Sequence, residues 1–158
     1  MDIKSITAEN RNQINEFLIY HWFSTDMAVR GELVDMRTLA GFIAYERENI
    51  VGLVMYQIVD KECEIMSLDS LKEGKGIGTS LVDKVIEKST ELGCRRIKLI
   101  TTNDNIKAIK FYQRRGFDMV NLYINAVVAS RKLKPSIPMI GDFGIPIKHE
   151  IEFEKKIK

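Results

Sequence analysis

Leu68-Asp69-Ser70-Leu71-Lys72-Glu73-Gly74-Lys75-Gly76-Ile77-Gly78-Thr79-Ser80 is the stretch of sequence that decides the fold. It joins a predicted strand, Glu62–Leu71, directly to a predicted helix, Ile77–Leu92, in which apolar residues recur at helical spacing. Glycines at such a junction let the backbone take positive φ and approach a ligand closely. The first turn of the helix adds N–H groups without intrahelical partners and the positive end of the helix dipole. The stretch therefore suits a phosphate or pyrophosphate, and the alternative is a tight connection that holds no ligand.

Two other phosphate-binding motifs fail on spacing. A P-loop requires Gly-x-x-x-x-Gly-Lys-Ser/Thr, and no glycine here is followed by Lys-Ser or Lys-Thr. A dinucleotide fingerprint requires Gly-x-Gly-x-x-Gly, but Gly76-Ile77-Gly78 is followed by Thr79-Ser80-Leu81. The preceding strands are also predicted to form antiparallel hairpins, which are not the βαβ unit that this fingerprint needs.

The rest of the chain alternates between strand and helix patterns. We predict strands at Met1–Ile6, Leu39–Glu46, Ile50–Val59, Glu62–Leu71, Arg96–Thr102, Phe117–Ile124 and Ile147–Phe153, and helices at Ala8–Tyr20, Ile77–Leu92 and Asn105–Arg115. Between the first helix and the second strand, His21–Met36 is interpreted as a short irregular helix plus a loop. This order predicts an α/β fold of α+β layered type, with a mixed, mostly antiparallel central sheet flanked by helices. Because no internal repeat or low-complexity linker divides the chain, we predict a single domain over residues 1–158.

The C-terminal segment, residues 130–158, is predicted to be a loop and a strand that complete the sheet. All three prolines lie in Ser130–Pro146, which favours an extended loop, although its apolar residues argue against disorder. Ile147, Ile151 and Phe153 alternate with polar residues, so Ile147–Phe153 should pair antiparallel with Phe117–Ile124. The loop should fold over the candidate site as part of its wall, or else form a dimer contact.

A second group of residues follows the strand Arg96–Thr102. Asn105, Ala108 and Tyr112 stand at i, i+3 and i+7, so they share one face of the predicted helix. Together, the glycine stretch and Asn-x-x-Ala-x-x-Phe-Tyr-x-x-x-Gly-Phe from Asn105 to Phe117 resemble the GNAT superfamily of N-acetyltransferases. The resemblance covers about Leu39 to Tyr123 clearly. It implies an acyl-CoA N-acyltransferase fold and acetyl-coenzyme A as co-substrate.

The resemblance also implies a cofactor site. Backbone groups of Leu68 and Ser70 should bind the pantetheine arm, with Asp69 between them in the same strand. Asn105 should contact the pantetheine and Ala108 allow its close approach. The N–H groups that should cradle the pyrophosphate belong to Glu73, Gly74, Lys75, Gly76, Ile77, Gly78 and Thr79. Glu73 departs from the Gln or Arg usual in the family, so its carboxylate should point to solvent.

The chemistry requires a base for the amine, a polarised thioester carbonyl and a proton for the departing thiolate. Glu64 matches a position where some family members keep a glutamate base, and Asp69 is the second candidate. An exposed strand carboxylate is the alternative for Glu64. Tyr112 should lie near the thioester sulfur and act as general acid. Because no nucleophile arrangement is evident, direct attack by a primary amine is favoured over an acyl-enzyme.

Composition limits the partners. The 158 residues carry 24 basic and 22 acidic side chains, a net charge of +2 that argues against a general nucleic-acid binder. Only two histidines, His21 and His149, are present, so no metal site is expected. The cysteines Cys63 and Cys94 are expected to be reduced thiols. No signal peptide or membrane-spanning run is apparent, so a cytoplasmic location without membrane association is expected.

Two alternatives to catalysis remain open. The first is a coenzyme A-binding module of the same fold without activity, against which the intact Tyr112 argues. The second is an interaction domain without cofactor. The acceptor is a small-molecule or peptide amine of unspecified identity, facing a wall expected from His21–Arg37 with mixed charges. The oligomeric state is either monomer or homodimer.

Overall fold

Nine strands and four α-helices make up the structure, a computed structural model that describes every residue from Met1 to Lys158. The strands are β1 (Asp2–Ser5), β2 (Asp26–Val29), β3 (Glu32–Asp35), β4 (Ala40–Glu46), β5 (Asn49–Val59), β6 (Glu62–Ser70), β7 (Arg96–Thr102), β8 (Asp118–Tyr123) and β9 (Glu150–Lys156). The helices are α1 (Arg11–Trp22), α2 (Ile77–Glu91), α3 (Ile106–Arg114) and α4 (Ala126–Leu133). Seven strands form one mixed sheet, and β2 pairs with β3 apart from it, which confirms the predicted fold class. No helix is both long and apolar enough to cross a membrane.

The residues group into two compact units. The first comprises Met1–Thr25, Met36–Ile97 and Lys156–Lys158, and the second comprises Asp26–Asp35 and Lys98–Lys155. In the first unit, β1, β4, β5 and β6 are neighbours in that order, and every pair is antiparallel. The pairs β4–β5 and β5–β6 are the predicted hairpins. The turn between β5 and β6 is Asp60-Lys61, with φ of 52° and 64°. Positive φ at both turn residues suits a two-residue hairpin loop.

Helix α2 packs on the middle of the first unit's strands. Leu81, Val82 and Val85 are buried on its inner side, as the helical spacing predicted. Gly52 in β5 makes the close approach feasible. A Cβ there would lie 2.6 Å from Ile77 Cγ2 and 3.0 Å from Leu81 Cδ1, so a side chain would displace the start of the helix. Because Gly52 has no side chain, the first turn of α2 can lie directly against β5.

The second unit places β9 between β7 and β8. Residues Asp118 to Tyr123 of β8 pair antiparallel with β9, which confirms the pairing predicted for the C-terminal strand. The strand's bounds differ, since β9 begins at Glu150 rather than at Ile147 and ends at Lys156. Phe153 in β9 is completely buried, and its ring lies 6.2 Å from that of Tyr112.

Two predicted segments were wrong. Instead of an irregular helix and loop, His21–Met36 contains the end of α1 and the β2–β3 hairpin. Its turn is Arg30-Gly31 with φ of 49° and 73°, a two-residue loop whose glycine was present in the sequence. Likewise, Ser130–Pro146 is not loop throughout, because α4 extends to Leu133. The helix stops just before Pro135, whose ring disfavours helical backbone in the preceding residue.

The remaining C-terminal loop is fixed by polar contacts within the second unit. The guanidinium of Arg131 donates to the carbonyl oxygens of Ile137 at 3.1 Å, Pro138 at 2.8 Å and Ile147 at 2.6 Å. The buried Asp104 carboxylate accepts the Asp142 N–H at 3.2 Å. The loop is thus ordered by a few side chains rather than by secondary structure, and its role as acceptor wall stays a prediction.

Replacing Phe153 with alanine should lower the free energy of unfolding by roughly 3–5 kcal/mol, because it empties a ring-sized space in a central strand. Urea denaturation monitored by circular dichroism measures the change. Phe143→Ala is the control, since that ring is 73% exposed and its loss should alter stability by less than about 0.5 kcal/mol. Equal losses in the two variants would contradict the burial of Phe153.

Candidate cofactor and catalytic site

The glycine turn has open space above its backbone. Gly74 and Gly76 both have φ of 73°, and no atom lies within 4 Å of where a Cβ would stand at either position. Gly76 is the residue just before α2, and its carbonyl accepts the Ser80 N–H at 3.0 Å. The N–H groups of the first helical turn have no carbonyl one turn earlier in the helix to bond. The left-handed glycines therefore leave a backbone surface accessible to an anion at the positive end of α2.

The side chains of the turn contribute less than its backbone. Ile77 is buried against the sheet, so it offers only main-chain groups. Lys72 forms an ion pair with Glu46 at 2.9 Å, and this contact lowers the pKa of the Glu46 carboxyl. Glu73 and Lys75 are exposed, which for Glu73 agrees with the predicted solvent-facing carboxylate. The positive charge of Lys72 is thus largely engaged in this ion pair.

Strand β6 contains a bulge that changes which of its side chains share a face. Ser67 stands opposite Met55 and Ile65 opposite Tyr56, so Met66 is an extra residue without a counterpart in β5. Directly opposed residues of two paired strands lie on the same face of the sheet. The bulge therefore reverses the alternation along β6 between Ile65 and Ser67.

As a result, Glu64, Ser67 and Asp69 lie on one face of β6, opposite Gln57, Met55 and Leu53 respectively. We call these three residues the polar row. Leu68 and Ser70 lie on the other face, opposite Val54 and Gly52. Because Gly52 contacts α2, the polar row lies on the face turned away from that helix.

The polar row is largely buried. Glu64 is 4% exposed, so the alternative of an exposed strand carboxylate is wrong. Ser67 is 7% exposed, and its buried Oγ has no hydrogen-bond partner. A buried hydroxyl without a partner is unfavourable by about 1–3 kcal/mol. The row therefore retains hydrogen-bonding capacity that the fold itself does not use.

The Asp69 carboxylate accepts a hydrogen bond from Trp22, the last residue of α1. The indole Nε1–H of Trp22 lies 3.1 Å from one carboxylate oxygen and 3.3 Å from the other. Burial raises the pKa of Asp69 to about 6, and the hydrogen bond from Trp22 opposes the rise by favouring the ionised form. This pKa lies where a carboxylate can accept a proton near neutral pH and release it again.

Neither cysteine has the properties of a nucleophile. Cys63 and Cys94 are both free thiols and almost fully buried. Burial raises the pKa of the Cys63 thiol to about 11, so the thiolate is scarce at neutral pH. The first unit therefore provides carboxylates and backbone donors rather than an acyl-accepting sulfur.

The second unit carries the other predicted residues on α3. Asn105 precedes the helix and caps it, because its side-chain oxygen accepts the Ala108 N–H at 3.2 Å. This leaves the amide NH₂ of Asn105 to serve as a donor. Tyr112 is 5% exposed, and three rings pack around it at centroid distances of 5.0 Å (Phe111), 5.4 Å (Phe117) and 6.2 Å (Phe153).

Sequence patterns did not single out Ser67 or pair Trp22 with Asp69. Ser67 looks like any small polar residue of a strand until the bulge aligns it with Glu64 and Asp69. Trp22 was assigned only to a general acceptor wall. A tryptophan at the end of a helix was the one available signal, because an indole has an N–H that commonly finds a hydrogen-bond partner even when, as for Trp22, the residue is 40% exposed.

With this geometry in place, comparison with known proteins assigns the family. Residues 7–117 match the model of the Acetyltransferase (GNAT) family, and the chain belongs to that family. It is 45% identical over 148 residues to protein YdhI of Bacillus subtilis strain 168, covering 93% of this chain and 92% of that one.

Two solved structures share the fold. An IAA acetyltransferase from Bacillus cereus ATCC 14579 superimposes with a TM-score of 0.75 at 20% identity, covering 99% of both chains. A Bacillus subtilis acetyltransferase in complex with CoA gives a TM-score of 0.68 at 17% identity, covering 99% of this chain and 98% of that one. At these identities the structures support the fold alone, and the family assignment comes from the sequence match.

Proposed function

We propose that the chain, acting as one domain over residues 1–158, transfers the acetyl group of acetyl-CoA to a primary amine. The observation that carries the proposal is the glycine turn at the start of α2, with its open backbone surface at Gly74 and Gly76. Membership of the GNAT family and a relative of the same fold in complex with CoA support it. The acceptor is a small-molecule or peptide amine.

The cofactor roles follow the predicted assignments. N–H groups from Glu73 through Thr79 bind the pyrophosphate at the positive end of the helix dipole. The backbone of Leu68 and Ser70 binds the pantetheine as an added strand would. The amide NH₂ of Asn105 donates to the pantetheine, and the small Ala108 allows close approach.

In the proposed reaction the amine attacks the thioester directly. A carboxylate of the polar row, Glu64 or Asp69, takes a proton from the ammonium group and so frees the nitrogen lone pair. The nitrogen bonds to the carbonyl carbon, whose oxygen gains charge and is stabilised by a backbone N–H. The C–S bond then breaks, and Tyr112 gives its proton to the departing thiolate. The nitrogen releases its surplus proton, through water, to the Tyr112 oxygen, which leaves a neutral amide and restores the phenol. The buried Cys63, with its raised pKa, argues against a covalent acyl-cysteine.

The test is turnover of acetyl-CoA, measured as release of free thiol, with a panel containing an alkylamine, an aromatic amine, a diamine, an amino acid and a peptide N-terminus. At least one amine should raise thiol release well above the rate without acceptor. Mass spectrometry should find an acetamide product. Coenzyme A that raises the melting temperature without any turnover across the panel would favour the alternative, a binding module. No melting shift with coenzyme A would contradict both.

A further inference from the structure

The two carboxylates of the polar row differ in burial and in their position along β6. Glu64 is buried almost completely, whereas Asp69 is only partly covered and stands near the end of β6. A carboxylate that takes a proton from a substrate must be within hydrogen-bond reach of it. Of the two, Asp69 is the one that a molecule arriving from solvent reaches first.

One buried oxygen atom on the same face of β6 as Asp69 has no hydrogen-bond partner. It is Oγ of Ser67, two residues before Asp69. A hydroxyl oxygen accepts hydrogen bonds, and a primary ammonium group has three N–H donors. The unfilled acceptor of Ser67 therefore suits a second N–H of an ammonium group that also contacts the Asp69 carboxylate.

We propose that Asp69, held in place by the indole of Trp22, is the carboxylate that receives the proton of the acceptor's ammonium group, and that Ser67 is a further hydrogen-bond acceptor for that group. This inference rests on the proposed acetyl transfer and selects between its two candidate bases. In the step, an N–H bond of the ammonium breaks and an O–H bond forms on Asp69. The electron pair of the broken bond stays on nitrogen and attacks the thioester, and Asp69 later returns its proton to water.

The surroundings of Asp69 fit this role. From β5, the side chains on the same face are Leu53, Met55 and Gln57, none of which titrates. Glu64 is the other titratable group of the polar row, and His21 is the titratable neighbour of Trp22 on α1. Burial is the main cause of the raised pKa of Asp69, and Trp22 is the group that opposes it. Trp22 is therefore a positioning residue whose removal should change the proton affinity of Asp69.

The sign of that change is fixed by the chemistry. A base must be ionised to act, so kcat at saturating acceptor should rise with pH through a value near 6 and then level off. Trp22→Phe keeps an aromatic ring but removes the N–H that favours the ionised carboxylate. The rise in kcat should then shift to higher pH by about half a unit or more, whatever the change in the plateau value. A merely structural role for Trp22 would leave the position of the rise unchanged.

The experiment measures thiol release against pH with the fastest amine of the panel, using the full-length chain and its Trp22→Phe, Asp69→Asn, Glu64→Gln and Ser67→Ala variants. Asp69→Asn should lower kcat by roughly 10²-fold or more and abolish the rise near pH 6. Glu64→Gln should keep that rise, and Ser67→Ala should mainly raise KM. A ¹³C NMR titration of the Asp69 carboxyl in the free protein should show the same shift in Trp22→Phe.

Several outcomes would overturn the assignment. If Asp69→Asn keeps the rise near pH 6 while Glu64→Gln loses it, Glu64 is the base and acetyl transfer itself stands. If Trp22→Phe leaves the Asp69 titration unmoved, the positioning role is wrong. If the wild-type chain acetylates no amine of the panel, the proposed function fails and the assignment fails with it. Melting curves for each variant distinguish these results from unfolding.

Discussion

Gly76→Val should abolish the binding of coenzyme A. Gly76 has φ of 73° and open space above it, and it directly precedes α2. A valine side chain would stand where the pyrophosphate is proposed to lie, and a β-branched residue strongly disfavours this backbone conformation. Loss of the main-chain anion site should weaken binding by 10²-fold or more, which corresponds to about 2.7 kcal/mol. Isothermal titration calorimetry with coenzyme A measures the effect.

Gly93→Val is the matched control for this substitution. Gly93 has the same φ of 73°, but it follows the C-terminal end of the same helix. Both variants should lose similar stability from backbone strain, roughly 1–2 kcal/mol. Only Gly76→Val should lose coenzyme A. Full affinity in Gly76→Val, or equal loss in both variants, would show that the glycine turn is not the pyrophosphate site.

The strand and helix order was predictable because most elements follow simple periodicity. The apolar spacing of α2 and the turn residues Asp60-Lys61 each indicate one local structure, and tertiary packing agrees with them. The antiparallel pairing of β9 with β8 was also predicted. The alternation behind that prediction holds only in part, because Phe153 is buried but so are Glu150 and Glu152, whereas Ile151 is half-buried. Where local preference and packing agree, sequence alone is sufficient.

The β2–β3 hairpin and α4 were missed for a different reason. Each strand of the hairpin has only four residues, too few for the alternation of Met27 and Val29 to stand out among charges. Helix α4 has eight residues and begins after Asn125 with φ of 59°, without a side-chain cap. Such short elements depend on their packing partners, and α4 packs on β2 and β3.

The polar row is a feature of the candidate site that could not be predicted from the sequence of β6 alone. Residues five apart, such as Glu64 and Asp69, lie on opposite faces of a regular strand. The extra residue Met66 brings them to the same face, together with Ser67. Since a bulge depends on how β5 and β6 pair, it has no clear signal in β6 alone. The residue types were therefore predictable, but their common face was not.

Tyr112→Phe should lower kcat by roughly 10²-fold, because the variant lacks the proton that the departing thiolate needs. The ring packing should survive, since Phe111, Phe117 and Phe153 contact an aromatic ring that phenylalanine also provides. Affinity for coenzyme A should be nearly unchanged, because the proposed pyrophosphate site belongs to the glycine turn. A fall in kcat without a change in cofactor binding indicates an interaction made in the transition state.

Tyr45→Phe is the control for the loss of a tyrosine hydroxyl. The Tyr45 hydroxyl donates to Gln13 Oε1 at 2.8 Å, in a part of the first unit to which no step of the reaction is assigned. Steady-state thiol release at saturating acetyl-CoA and amine compares both variants with the wild type, and calorimetry gives their affinity for coenzyme A. Tyr45→Phe should retain the wild-type kcat. If Tyr112→Phe retains it as well, the thiolate takes its proton from water or from another group, and Tyr112 serves to pack α3 against β9.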